Sequence, residues 1–100
     1  MLNSRQRAQL RGLANTADTI LIVGKGGVTE NVVSQADGAL TARELVKGRV
    51  LENSLLTARE ACDELCRECA AEPVQVIGSK FVIYRENKKL PKEKRIILVK

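Results

Sequence analysis

Two short stretches of the sequence contain residue types that could do chemistry. The first, VGKGGVTENV (23–32), has three glycines within four residues around one lysine, just before residues that are typical of a helix start. A glycine-rich turn between a strand and a helix exposes backbone amides and the positive end of the helix dipole, which suits a phosphate. The second stretch is Cys62-x3-Cys66-x2-Cys69. Radical S-adenosylmethionine enzymes use that spacing to hold an iron–sulfur cluster, so a cluster has to be considered.

The three cysteines are predicted to fill the core. Thr57 and Glu60 form a capping box that begins a helix. Steps of about 100° per residue place all three cysteines within about 60° of one another on the apolar face of that helix. A buried cysteine behaves as a small hydrophobe, and an odd count argues against disulfides. No metal and no cofactor are therefore expected.

The glycine loop lacks positions that nucleotide-binding loops need. A P-loop requires G-x-x-x-x-G-K-[ST], whereas Lys25 precedes the later glycines. A dinucleotide fingerprint requires G-x-G-x-x-G, and Thr29 occupies the place of its last glycine. The loop does satisfy G-x-x-G, which in other RNA-binding folds lets the backbone pack against nucleotides. Taken alone, the loop favours an RNA site and a plain structural turn about equally.

Basic charge is segregated along the chain. The formal net charge is +5, but residues 57–72 hold five acids and two arginines, a net of −3, so the rest of the chain carries +8. This separation favours a polyanionic partner on a side away from the acidic helix, the alternative being an unevenly charged solvated surface. The chain has no histidine and no sequence motif of a hydrolase or metalloprotease, so an enzyme is not expected.

Apolar spacing, capping residues and turn residues predict the element order αβαβαββ. The predicted elements are a helix from Asn3, a strand at 19–23, a helix from Thr29, a strand at 44–51, a helix from Thr57 ended by Pro73, and a hairpin of strands 74–78 and 80–85. Right-handed crossovers place the second and third helices on one face of a mixed four-stranded sheet. Gly48 predicts a bulge or a close backbone approach in the second strand.

The length of 100 residues predicts one domain. Residues 1–86 form it, and the basic tail 87–100 either adds an edge strand or stays mobile. The sequence has no secretory signal and no apolar run of transmembrane length, so a cytoplasmic protein is expected. Phe81 and Tyr84 fall on opposite faces of one strand, which disfavours base stacking as the main contact.

Four motifs in order resemble the CRM domain family (chloroplast RNA splicing and ribosome maturation), especially its stand-alone bacterial members of the YhbY type. They are SRQRAQLRGLA (4–14), VGKGGVTENV (23–32), LTARELVKGRV (40–50) and VQVIGSKFVIYR (74–85). The resemblance covers about residues 1–86. It implies an α/β (α+β) fold of order αβαβαββ, in which three helices pack on one face of the sheet, and a G-x-x-G loop that contacts RNA. It also implies association with precursors of the large ribosomal subunit.

The resemblance also implies which residues bind RNA. In the loop and the helix start these are Gly24, Lys25, Gly26, Gly27 and Thr29, and the flanking basic residues are Arg5, Arg7, Arg11, Lys47, Arg49 and Arg85. Two positions depart from the family pattern, since Arg43 replaces a frequent histidine and Gly48 a frequent valine. We expect a monomeric, non-catalytic protein that binds ribosomal RNA during assembly of the large subunit. The alternative is a module that docks a ribosomal or assembly protein through the third helix or the tail.

Overall fold

The computed structural model describes residues 2–100 and contains three α-helices and a four-stranded sheet. The elements are α1 (Ser4–Ala14), β1 (Thr19–Val23), α2 (Glu30–Arg43), β2 (Leu45–Val50), α3 (Ala58–Cys69), β3 (Glu72–Ile77) and β4 (Lys80–Tyr84), followed by one 3-10 turn (Lys92–Lys94). The predicted α+β class and the order αβαβαββ are confirmed. No helix among the described residues has both the length and the apolar character needed to cross a membrane.

Each helix begins at the capping residue that the sequence predicts. The Asn3 side chain accepts a hydrogen bond from the Gln6 amide, and the Gln6 side chain accepts one from the Asn3 amide. Thr57 and Glu60 form the same reciprocal pair at α3, and Thr29 caps α2. Such caps provide hydrogen-bond partners for amides that the first helical turn leaves unpaired. Each cap contributes about 1 kcal/mol to the stability of the helix.

Pro73 does not end α3, contrary to the prediction. The helix ends at Cys69, and Ala70 caps it in the left-handed conformation with φ of 54°. Pro73 is instead the second residue of β3, which is an edge strand in the order β1-β2-β4-β3. An edge strand tolerates proline because one side of it needs no amide for the ladder.

The sheet is mixed, and its hairpin was predicted correctly. β1 runs parallel to β2, whereas β4 is antiparallel to both β2 and β3. The two crossovers, through α2 and α3, place both helices on one face, where they enclose a core with Phe81 and Ile83 of β4. The right-handed crossover rule explains this shared face.

The first helix lies on the opposite face of the sheet, so the expectation that all three helices share one face is wrong. Leu10 and Ala14 of α1 form a second core with Val82 and Tyr84. These two residues alternate along β4 with the residues of the first core, and alternate residues of a strand point to opposite faces. The physical reason is that α1 precedes β1 and is not a crossover, so the handedness rule places no constraint on it.

Gly48 provides the close approach that its place in a strand predicts. A Cβ added at Gly48 would collide with the ring of Phe81, its antiparallel neighbour on β4. Because Gly48 has no side chain, the ring of Phe81 can pack directly against the backbone of β2 in the core. One irregularity in register lies in β1 at Ile20, beside this glycine, and another lies in β3 at Val74.

A buried carboxylate and α1 hold the C-terminal tail. Glu44, fully buried, accepts hydrogen bonds from the backbone amides of Asn87 and Ile96, each at 2.7 Å. The side chains of Gln6 and Gln9 bond the backbone of the tail at 97 and 99. The tail thus runs beside α1 and, within residues 2–100, does not join the sheet as a fifth strand.

Candidate nucleic-acid interface

The glycine loop lies at the carboxyl ends of the two parallel strands. It connects β1 to α2, and beside it the amide of Leu51 donates to the carbonyl of Val23 at 2.8 Å. The hairpin turn at Gly78 and Ser79 is at the same end of the sheet, because the Val50 amide donates to the Ser79 carbonyl at 2.8 Å. In open sheets with parallel strands, ligands bind in the crevice at this end.

The loop backbone turns so that several amides remain available. The Gly27 amide donates to the Gly24 carbonyl at 3.0 Å, and the Thr29 amide donates to the Gly27 carbonyl at 3.1 Å. In the part of the chain that the structure describes, the amides of Lys25, Gly26 and Val28 donate no hydrogen bond. Backbone amides without a partner in the protein can donate hydrogen bonds to an anion.

The local backbone structure requires a glycine at one position of the loop but not at another. Gly27 has φ of +72°, a conformation that residues with a Cβ rarely adopt. Gly24 has no such requirement, because a Cβ there would make an ordinary contact at 3.6 Å with the Leu51 side chain. Turn geometry therefore explains Gly27 but not Gly24. A bare backbone at Gly24 does allow close approach of another chain.

The start of α2 adds positive potential beside these amides. The hydroxyl of Thr29 accepts from the Val32 amide at 3.3 Å, and the peptide dipoles of α2 place roughly half a positive charge at this end. Lys25 is exposed and, within residues 2–100, lies in no ion pair. The loop thus combines free amides, a helix start and a mobile ammonium group.

Three of the predicted RNA-binding residues, Lys47, Arg49 and Arg85, have different surroundings. Arg49 is exposed near the same end of the sheet as the loop. The Lys47 ammonium donates to the Ala14 carbonyl at 3.3 Å and so caps the end of α1. The Arg85 guanidinium bonds Asp37 at 2.7 Å, the Cys69 carbonyl at 2.8 Å and the Thr41 hydroxyl at 2.9 Å, so it ties α2 to α3 at the far end of β4.

The structure does not bring Arg5 and Arg7, at the start of α1, to the glycine loop. The amide of Leu2 donates to the Glu72 carboxylate at 3.0 Å, which places the start of α1 at the end of the sheet remote from the loop. Arg5 and Arg11 are exposed on this helix, and Arg7 lies beside the edge of β3. These arginines extend the basic surface on the α1 face.

The cysteines pack in the core, as the sequence predicts. Cys62, Cys66 and Cys69 are buried between α3 and the sheet, and none is in a disulfide. The hydrogen bond with Cys62, together with burial, raises the pKa of the Cys66 thiol. No group of three or more potential ligands for a metal occurs in residues 2–100.

Sequence reasoning missed an open cavity of about 630 Å³ next to the loop. The connection between β2 and α3 lines it together with the hairpin turn, and the Leu56 side chain lies 3.4 Å from where a Cβ of Gly27 would be. Two segments that are distant in sequence, residues 49–58 and the hairpin turn at 78 and 79, form this cavity, so no local pattern signals it. Lys80, which follows the hairpin turn, was also missed, although strand alternation places it on the same face as Arg49.

Comparisons with known proteins agree on one family. The family model for the CRS1 / YhbY (CRM) domain matches residues 2–85. The chain is 39% identical over 88 residues to the probable RNA-binding protein YqeI of Bacillus subtilis, covering 88% of this chain and 92% of the relative. It is 32% identical to a probable RNA-binding protein of Pseudomonas aeruginosa, covering 88% and 85% of the two chains.

A solved structure has the same fold. It is the solution structure of a hypothetical protein of Staphylococcus aureus that is described as a candidate RNA-binding protein. The TM-score is 0.78 at 43% sequence identity, and the match covers 97% of this chain and 100% of the other.

Proposed function

The chain belongs to the CRS1/YhbY (CRM) domain family, and from that membership we propose that it is a non-catalytic RNA-binding protein. The observation that carries the proposal is the set of free amides at Lys25, Gly26 and Val28, beside the start of α2. Relatives that match most of the chain are named as RNA-binding proteins, which supports the same partner.

The proposed contact is with the sugar–phosphate backbone. A phosphate oxygen accepts hydrogen bonds from the loop amides, the Lys25 ammonium neutralises part of the charge, and bare Gly24 lets the nucleic acid approach without collision. Contacts of this kind position a nucleic acid without reading its bases. Phe81 and Tyr84 are buried in two different cores, which supports RNA binding that does not depend on base stacking.

The proposed target is ribosomal RNA in precursors of the large ribosomal subunit. In this proposal the protein binds it as a monomer, in the cytoplasm. The similarity of the four motifs to stand-alone family members of the YhbY type supports this target. Residues 1–86 form the RNA-binding unit in this proposal, and the tail is bonded to Glu44 and to Gln6 and Gln9 of α1.

The salt dependence of binding tests the electrostatic basis of the proposal. If about five phosphates are neutralised, the logarithm of the binding constant should fall against the logarithm of the salt concentration with a slope of roughly −3.5 for single-stranded RNA. A filter-binding titration of ribosomal RNA over a series of potassium chloride concentrations measures this slope. A slope near zero would contradict phosphate binding.

A second candidate function is docking of a ribosomal or assembly protein through the tail. The observation that favours it is the exposure of Ile97, at 70%, on a segment whose backbone is bonded by Gln9 of α1. Association with a protein partner that survives nuclease treatment would support this function over RNA binding.

A further inference from the structure

Half of one sheet face has no helix over it. On the α1 face, α1 and the tail cover the part near Val82 and Tyr84. The half nearer the glycine loop carries one residue from each strand in a continuous row. This open row consists of Ile22, Arg49, Lys80 and Ile77, which are cross-strand partners in the order of the sheet.

The centre of the open row carries two like charges. Arg49 and Lys80 lie directly opposite each other on β2 and β4, both exposed. In residues 2–100 neither is in an ion pair. Like charges at opposed positions destabilise a sheet. A bound anion would relieve this repulsion by neutralising both.

The two faces of the sheet differ in charge. On the other face, Glu30 and Glu68 line a groove between α2 and α3 together with Asp37, whose charge is paired with Arg85. On the open face, Lys47 and Lys80 line a shallow groove of about 180 Å³ between the end of α1 and the hairpin. A polyanion is therefore attracted more strongly to the open face than to the groove between α2 and α3.

The ends of the open row are apolar. Ile22 is 43% exposed and Ile77 is 63% exposed, one on each side of the two cations. A phosphate alone would not need these residues. Ribose carbons and base edges, which accompany each phosphate of a nucleic acid, can pack against them, so the row suits a nucleic-acid strand better than a free anion.

We propose that the open row is a second RNA contact, which receives single-stranded RNA as it leaves the glycine loop. This inference rests on the proposed function and extends its site. Ile22 is only two residues before Gly24, and Arg49 precedes Val50, whose amide bonds the hairpin turn. Four strands at about 4.8 Å spacing make a row of roughly 14 Å, which extends the loop site across the whole sheet.

The substitution Lys80→Glu tests the proposal without threatening the fold. A glutamate at this position would face Arg49 across the strands, and an opposite-charge pair replaces the present repulsion. The matched control is Arg67→Glu, because Arg67 is exposed on acidic α3 and the change in net charge is the same. The probe is a fluorescein-labelled oligouridine of about twelve nucleotides, a length within the range of single-strand sites, and the readout is fluorescence anisotropy with the full chain.

We expect Lys80→Glu to weaken binding about tenfold and Arg67→Glu to change it less than about twofold, since only the first removes a phosphate contact. Ile77→Thr, which keeps a β-branched residue in the strand, should weaken binding by about threefold if ribose or base contacts are made. Lys80→Glu binding within twofold of the control would overturn the second contact. Loss of binding in Lys25→Glu with no effect of Lys80→Glu would leave the loop site standing, whereas no binding by the unmodified protein would overturn both.

Discussion

Replacing Lys25 by glutamate should weaken RNA binding by at least about tenfold, because it removes one proposed phosphate contact and adds a repelling charge at the loop. The side chain is exposed and makes no ion pair among residues 2–100, so the free energy of unfolding should change by less than about 0.5 kcal/mol. The slope of binding against salt should also become shallower by about 0.7, the value for one phosphate of a single strand. Filter binding and thermal unfolding measure these quantities.

The control for this substitution is Arg67→Glu, which makes the same change in net charge on α3. If the loss of affinity came only from the lower net charge, both variants would weaken binding equally. Equal affinities for the Lys25→Glu variant and the unmodified protein would move the RNA site away from the loop.

Replacing Glu44 by alanine should lower the free energy of unfolding by about 3 kcal/mol, from two hydrogen bonds to a charged acceptor at about 1.5 kcal/mol each. The carboxylate is fully buried and bonds the amides of Asn87 and Ile96. Glu44 has φ of 65°, and alanine keeps the same Cβ, so backbone strain is unchanged and the effect isolates the carboxylate. Urea denaturation gives the free energy, and hydrogen exchange of the Ile96 amide should show that the tail is released.

The matched control is Glu86→Ala, since Glu86 is a partly exposed carboxylate of the same segment, 3.5 Å from Arg95. Its loss should cost less than about 1 kcal/mol, as is usual for exposed ion pairs. A Glu44→Ala variant that is as stable as Glu86→Ala, with the Ile96 amide still protected, would show that Glu44 does not hold the tail.

Local signals in the sequence predicted most of the fold and the position of the glycine loop within it. Helix starts depend on a few neighbouring residues, so the caps at Asn3, Thr29 and Thr57 could be identified from short patterns. Gly48 predicted the close approach of a neighbouring group, because a glycine inside a strand has few other structural roles. The glycine loop was placed between β1 and α2 for the same reason, since strand and helix patterns flank it directly.

Features that depend on distant parts of the chain were missed. The amphipathic pattern of α1 shows that one face is buried but not which side of the sheet buries it. Glu44 looks like an ordinary polar residue at the end of a helix, because the two amides that it accepts from lie 43 and 52 residues later in the chain. The open row depends on strand order and register, and neither can be predicted from the sequence of a single strand.

The sheet separates charge as well as cores. The acidic residues predicted to face away from RNA are on α3, and α3 shares its sheet face with α2. The arginines of α1 and the exposed cations Arg49 and Lys80 lie on the other face. Because α1 crosses to that face, the charge segregation along the sequence becomes a segregation between two sides of the molecule.

We propose above all that the amides of the glycine loop bind an RNA backbone. Titrating the ¹⁵N-labelled protein with oligouridine and recording ¹H–¹⁵N correlation spectra tests it at each amide. We predict that the largest shift changes occur at the free amides of Lys25, Gly26 and Val28, with smaller changes at Arg49 and Lys80. Changes confined to α3 or to the tail, with the loop amides unmoved at saturation, would contradict the account.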